Sequence, residues 1–499
     1  MENNILYAKI LKSIEVTLKD KIDFSGLNTG GQAYLNQCVS LIGWIANMII
    51  DGNDIQEAYQ KRLDRLGAQV QDFLSSNKQV SELVSVSWSP KKMIEGYPTS
   101  DQSHTYSLFG ELTSEALASC DDTIRRQAKE LFNEFLSIEQ ETITRLDVSA
   151  KSNVVSTIDT YLKKKVVATS LPYAGISEKS LADYLSLKFG VDKGISVDDL
   201  KELPGGFSKE TYSFTIKGDL PFSGKVVMRK DLPVEKRTSS VDEFPVLKAA
   251  WDKGIPVPEP LWYENDKDIL NGSFIVVKHC PGKNDISEWV SGDKSNLLKF
   301  VTDLASNLVK IHSISPQDIP VDYNVAGTAE AAQIWHINWL REHYLSSVCT
   351  SNPRIEAAFG WLLTNFPKPS ADTPCLVHSG LGFHNLLTHQ GNILAILDWE
   401  YSHFGDPADD LSYVRQFIEK FVSWDDFLKI YYDLGGYKYT DEQDRFYAVW
   451  RYLRNACGCS GTRKVFLESD HSSLKLATSV TAGPRHELLA LRQISKNIE

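Results

Sequence analysis

Between Cys375 and Val414 the chain reads CLVHSGLGFHNLLTHQGNILAILDWEYSHFGDPADDLSYV, and three of its residues could do chemistry together. They are His378, Asn385 seven residues later, and Asp398 at the head of Asp-Trp-Glu. Mg2+ prefers hard oxygen ligands and commonly takes only one or two from protein, leaving the rest to phosphates and water. Asn385 and Asp398 are such a pair. The segment joining them reads as a strand, a turn at Gln390-Gly391 and a second strand, a hairpin that brings both to one end. The chemistry they would serve is phosphoryl transfer from a nucleotide–metal complex. No carboxylate lies between His378 and Asn385, where Ser379, Gly380, Leu381, Gly382, Phe383 and His384 stand. A lone loop histidine is usually a hydrogen-bonded structural residue, which is the reading taken for His378. His384 adjoins Asn385 and stays open as a chemical group.

Upstream residues could serve the same reaction. Pro204-Gly205-Gly206-Phe207-Ser208 leads into a strand-like run. Glycines there would let backbone N–H groups approach phosphate oxygens closely. Arg229 ends the next strand, on the face of Val227 by the period of two. Its guanidinium could meet phosphate oxygens, with Glu243 of the following helix holding it in place. By themselves, a Gly pair is more often a plain turn and Arg229 a surface cation among Lys225, Lys230 and Lys236. His312 sits on an apolar helical face as a core residue. Asp406, Asp409 and Asp410 read as capping and loop-bracing groups.

These groups need elements to position them. Apolar residues recur at helical spacing over 6–18, 56–74 and 114–146, and 38–50 reads as a buried helix too short to span a bilayer. The first third is therefore expected to be helical, a packing or oligomerisation module with no chemistry of its own. After Pro172 a short helix over 177–189 precedes alternating Tyr212, Phe214 and Ile216, a second strand over 225–228, and a helix over 241–252. Gly-Ile-Pro-Val-Pro then turns into a further strand, and Ser273 to Cys280 reads as another. From residue 296 helical periodicity dominates. The expected division is 1–165, a helical domain; 166–282, a strand-rich lobe; and 283–499, a helical lobe. Trp335, Trp339 and Tyr344, at near-helical spacing, read as core, with an acceptor pocket beside them as the competing reading.

At 499 residues two or three domains are expected. A formal charge of −12 argues against a nucleic-acid binder, which normally carries a basic face. Seven scattered Cys without metal spacing suit a reducing cytoplasm, and neither a leader-like N-terminus nor a membrane-spanning run appears.

The order of glycine-rich hairpin, strand-end cation, helix Glu, His-x6-Asn and Asp-Trp-Glu, over roughly 178–415, resembles the aminoglycoside phosphotransferase and choline kinase family. It is most similar to the branch related to the kinase domain of acyl-CoA dehydrogenase fusion proteins. That resemblance implies an α+β, protein-kinase-like bilobal fold after an all-α N-terminal domain. It implies ATP, with GTP left open, and Mg2+ as cofactors, and a small-molecule hydroxyl as acceptor. Gly205, Gly206, Ser208, Arg229 and Glu243 would hold the nucleotide, backbone between Val276 and His279, with Val277 and His279, would meet its base, and Asn385 and Asp398 would bind the metal. The catalytic positions would be His378, Gly380 and His384. The family's central Asp, which receives the hydroxyl proton, corresponds to Gly380, and Ser379 replaces a Gly. Two further readings stand beside it: a nucleotide-binding pseudokinase scaffold, which Gly380 supports, and remotely a metal-dependent hydrolase using His378, His384, His389 and Asp398; in any of them the N-terminal helical domain is a candidate surface for a partner or a homo-oligomer.

Overall fold

The computed structural model describes residues 10, 13–14, 38, 52–77, 108–110, 112–117, 119, 121–162, 176–191, 194–203, 209–231, 239–284, 294–319, 327–347, 352–389, 392–468 and 474–498. The helices expected over 6–18 and 38–50 fall, apart from Ile10, Ser13, Ile14 and Cys38, outside these residues.

In chain order the elements begin with helices α1 (Gly52–Ser76), α2 (Asp122–Leu162) and α3 (Glu178–Phe189). Strands β1 (Ser196–Glu202), β2 (Lys209–Lys217) and β3 (Gly224–Asp231) lead to helix α4 (Ser240–Asp252), and strands β4 (Pro260–Glu264) and β5 (Phe274–Lys278) follow. Next come helices α5 (Lys294–His312), α6 (Ala329–Ser347) and α7 (Pro353–Thr364). Four short strands, β6 (Cys375–Val377), β7 (Leu386–His389), β8 (Asn392–Ile396) and β9 (His403–Gly405), carry the loop region. Helices α8 (Ala408–Ile418), α9 (Trp424–Asp433), α10 (Asp441–Glu468) and α11 (Leu474–Ile498) come last.

Two compact units emerge. One gathers 1–171, 337–366 and 448–499; the other gathers 172–336 and 367–447. The division expected from sequence kept 337–366 and 448–499 with the final lobe, whereas here they group with the N-terminal helices. Helical periodicity announces that a face will be buried but not which partner will bury it.

In the first unit α1 buries Leu63, Leu66 and Val70, and α2 buries Ala128, Phe132 and Phe135. Helix α1 packs on α2, and α2 and α7 both pack on α11. One guanidinium ties the three stretches: Arg354 of α7 pairs with Glu139 of α2 and, at 2.6 Å, with Glu487 of α11. Tyr59 of α1 donates to the other Glu139 oxygen at 2.7 Å. Buried charges persist only when paired and hydrogen-bonded, and Arg354, Glu139 and Glu487 meet that condition.

In the second unit a five-stranded antiparallel sheet runs in the order β1-β2-β3-β5-β4. Helix α3 begins at Ser177, whose hydroxyl caps Ser180 N–H, and ends at Gly190, left-handed at φ 65°. Its Leu181, Tyr184 and Leu185 cover one sheet face with Phe214, Ile216, Val226, Met228 and Val276. Val246, Leu247 and Ala250 of α4 pack with Ile275 and Val277 and join a core continuing through α5 to Leu376, Trp399, Leu411 and Tyr431. A strand-rich lobe followed by helices, preceded by the N-terminal helical region, is the expected kinase-like α+β fold. Among the described residues no helix is long and apolar enough to cross a membrane.

Candidate active site

The loop after β6 is held from behind by one buried carboxylate. Asp410, in the first turn of α8, accepts the backbone N–H groups of His378 at 2.9 Å and Ser379 at 2.6 Å. His312 Nε2 lies 3.1 Å from the same carboxylate, and its Nδ1 lies 2.8 Å from the Tyr431 hydroxyl. Burial would raise the Asp410 pKa, but His312 and His378 hold it below the usual carboxylate range. Ser379 stands at φ 60° in the left-handed region, and its hydroxyl donates to Asp409 at 2.7 Å. A non-glycine residue there is strained, so the Asp409 and Asp410 bonds fix a conformation that the backbone would not choose alone.

Asp398 is presented in a similar way. Its φ is 68°, also left-handed, a region that Asp tolerates better than most residues. Just before it, Leu397 donates its N–H to the Asn385 carbonyl at 2.8 Å and accepts from His378 Nε2 at 3.0 Å. Just after it, the buried Trp399 ring donates to the Ile396 carbonyl at 3.1 Å. Since a carbonyl only accepts, the His378 proton sits on Nε2. The β7–β8 hairpin thus brings Asn385 and Asp398 to one end, as its pattern suggested. Asn385 turns its amide nitrogen to the Gly380 carbonyl at 2.9 Å, leaving its oxygen for another partner.

Arg229 on β3 joins the two lobes of this unit. One guanidinium nitrogen lies 2.7 Å from Glu243 of α4, and another lies 2.9 Å from Asp398. Glu400 adds a third carboxylate to the electrostatic surroundings of Arg229 and Glu243. Burial, with Glu400 and Asp398 nearby, pushes the Glu243 carboxyl up to about 7 against the opposing pull of Arg229. With all three carboxylates ionised, the cluster around this one guanidinium has a formal charge of −2, which a divalent cation would offset. The donors fit Mg2+: hard oxygens, few in number. Among the described residues no group of three or more His, Cys, Asp or Glu is arranged to hold a metal, so further ligands would come from phosphate and water.

Gly380 is buried on this loop, and its φ is not left-handed. A Cβ built there would meet only His378 Nδ1 at 3.6 Å, His378 Cε1 at 3.7 Å and Asn385 Nδ2 at 4.0 Å, all ordinary contacts. The His384 ring lies instead over Gly382, where a Cβ would come within 2.4 Å of it, and beside Phe417. Burial lowers the His384 pKa, so the imidazole is held in its neutral form at neutral pH.

Other expected positions distribute as follows. Gly205, Gly206 and Ser208 lie outside the described residues. Val277 pairs with Val227 inside the sheet, and the His279 N–H donates to the Lys225 carbonyl at 3.1 Å rather than facing open space. Tyr344 is buried, but Trp335 is 43% exposed and is not core. Sequence reasoning missed Glu400 as part of the charged cluster, whereas the loop-bracing role expected of Asp410 is met at the His378 loop. The Asp-Trp-Glu run and the acidic start of α8 were the available signals.

Residues 199–444 match the family model described as "APH: Phosphotransferase enzyme family". The rat (Rattus norvegicus) acyl-CoA dehydrogenase family member 11 is 28% identical over 256 residues, 50% of this chain and 32% of that protein. The mouse (Mus musculus) acyl-CoA dehydrogenase family member 10 is 30% identical over 175 residues, 34% of this chain and 16% of its own length. The chain thus matches a third or less of the length of these relatives. Among solved structures, a thermostable mutant of aminoglycoside phosphotransferase APH(4)-Ia, in ternary complex with ADP and hygromycin B, aligns at a TM-score of 0.41. It is 18% identical, with 64% of this chain and 97% of that chain covered. The segment 199–444 of this chain is therefore a domain of the APH phosphotransferase family.

Proposed function

We propose that this protein is an ATP- and Mg2+-dependent phosphotransferase that acts on the hydroxyl of a small molecule. The observation that carries this reading is the Arg229 bridge between Glu243 and Asp398, at 2.7 and 2.9 Å, beside Asn385 on the same hairpin end. In this reading Arg229 moves from Asp398 to phosphate oxygens when nucleotide binds, and Glu243 keeps it oriented. Asp398 and Asn385 would hold Mg2+, which supplies charge neutralisation on the transferring phosphoryl group. Phosphoryl transfer depends mostly on positioning and charge neutralisation, so the loop's geometry matters even without a carboxylate at Gly380.

The acceptor class suggested by the relatives' acyl-CoA dehydrogenase names is a hydroxy acid or its thioester, ahead of sugars and amino alcohols. A screen of ATP consumption over hydroxylated metabolites, using this chain and its Gly380→Asp form, tests the reading. Absence of turnover in both forms with every acceptor class would reject it. Gly380 itself favours a second reading, a nucleotide-binding pseudokinase.

Arg229→Ala separates a phosphate-binding role from a structural one. A charge-assisted hydrogen bond contributes about 1.5–3 kcal/mol, so ATP affinity should fall roughly 10–100-fold. Adenosine affinity should hardly change. Calorimetry with both ligands checks this, and an equal loss for both would make the pair structural.

A further inference from the structure

Two residues outside the reading above form a buried clasp at the start of α4. Lys209, the first residue of β2, stands opposite Asp231, the last of β3, and its ammonium lies 3.0 Å from the Asp231 carboxylate. Both side chains are almost wholly buried, at 2% and 11% exposure. The same carboxylate accepts the Ser240 N–H at 2.8 Å, the Ser240 hydroxyl at 2.5 Å and the Ser239 hydroxyl at 2.8 Å. Ser239 is the N-cap of α4, and it forms a capping box with Asp242. Asp231 therefore fastens the N-terminus of α4 to the end of β3, where a carboxylate also complements the helix dipole.

Asp231 and Arg229 are two residues apart and share one face of β3. Ser240 and Glu243 are three apart and share one face of α4. Strand and helix are thus joined at two adjacent points, the Asp231–Ser240 contact and the Arg229–Glu243 contact. The second point has no slack: Glu243 Oε1 is buried with no hydrogen-bond partner among the described residues, so one oxygen alone makes the Arg229 contact. Lys209 also acts on Glu243 directly, as one of two cations favouring its ionised form. Although burial would raise the Asp231 carboxyl, Lys209 and the two serines hold it below the usual range.

We infer that Lys209 and Asp231 are positioning residues for nucleotide phosphates: their clasp sets the register of α4 on β3, and so orients Glu243 and through it Arg229. This inference rests on the nucleotide-binding reading above. In chemical terms, the clasp should matter for a ligand with a triphosphate and be indifferent to the nucleoside alone.

The test is calorimetry of the full chain with ATP–Mg2+ and with adenosine, for the unaltered protein and for Asp231→Asn. Asp231→Asn should weaken ATP about tenfold, a partial loss of the Arg229 contact, and leave adenosine within about twofold. Should loss of the Asp231 charge beside Lys209 keep that variant from folding, Lys209→Leu with Asp231→Leu removes both charges, a replacement that buried ion pairs often tolerate. This double variant should melt cooperatively and lose the same ATP preference. An unchanged ratio of ATP to adenosine affinity in a folded variant overturns the inference alone, since a merely structural clasp would move both ligands together. Failure of the unaltered chain to bind ATP overturns the nucleotide reading and this inference with it.

Discussion

Gly380→Asp is expected to raise phosphoryl transfer by about 10²-fold or more, the usual scale of general-base assistance, with ATP affinity nearly unchanged. The structure gives reasons for both halves. The loop is fixed by Asp410 through the N–H groups of His378 and Ser379 and by Asn385 through the Gly380 carbonyl. None of these bonds uses the 380 side chain. A Cβ there meets nothing closer than 3.6 Å, so the backbone accepts a side chain at 380 without a clash at its first atom. The measurement is turnover with an acceptor that the chain demonstrably binds. Flat turnover in Gly380→Asp would leave the pseudokinase as the better account. His384→Ala in the unaltered background gives the companion result: its ring is turned to Gly382 and Phe417, so residual turnover should survive its loss.

Asp398→Asn should instead cost activity at the binding step. Asparagine tolerates the left-handed φ of 68° nearly as well as aspartate, so the substitution removes charge without disturbing the turn. Altering groups that merely support metal ligands typically costs 10–100-fold in affinity, so losing a charged ligand should weaken ATP–Mg2+ by at least about 10²-fold. Adenosine binding without metal should be spared. Titration of ATP with and without Mg2+ checks this, and a loss independent of Mg2+ would remove Asp398 from the metal site.

Local pattern made part of this legible. The short helix expected over 177–189 is α3, and alternation at Tyr212, Phe214 and Ile216 announced β2, whose buried face carries those residues. The hairpin joining Asn385 to Asp398 was readable because its turn and both strands are contiguous. Strand β1 was not readable: Ser-Val-Asp-Asp-Leu-Lys-Glu is charged, lies at the sheet edge, and is broken by a bulge with Asp199 at φ 58°. Depletion of Asp from strands is a tendency that pairing with β2 overrides. The Arg229–Asp398 contact spans 169 residues, and no local period encodes it. The grouping of 337–366 and 448–499 with the N-terminal helices escaped for the same reason.

The first unit's three-part composition bears on how this protein is made. Glu139 meets Arg354 215 residues later in the chain, and Arg354 meets Glu487 another 133 residues on. At synthesis rates of about 5–20 residues per second, the helix bearing Glu139 waits for tens of seconds before its last partner leaves the ribosome. During that interval α2 lacks α11, which packs on it in the folded chain. The five-stranded sheet of the second unit has all its strands much earlier, because β1 to β5 lie within residues 196–278. A nascent chain halted before Leu474 should therefore give up α1 and α2 to a protease while the five-stranded sheet resists it. Equal resistance of both regions in ribosome-bound chains would contradict that order. Demand for chaperones would then fall for longest on α1 and α2, although these helices carry none of the candidate chemistry.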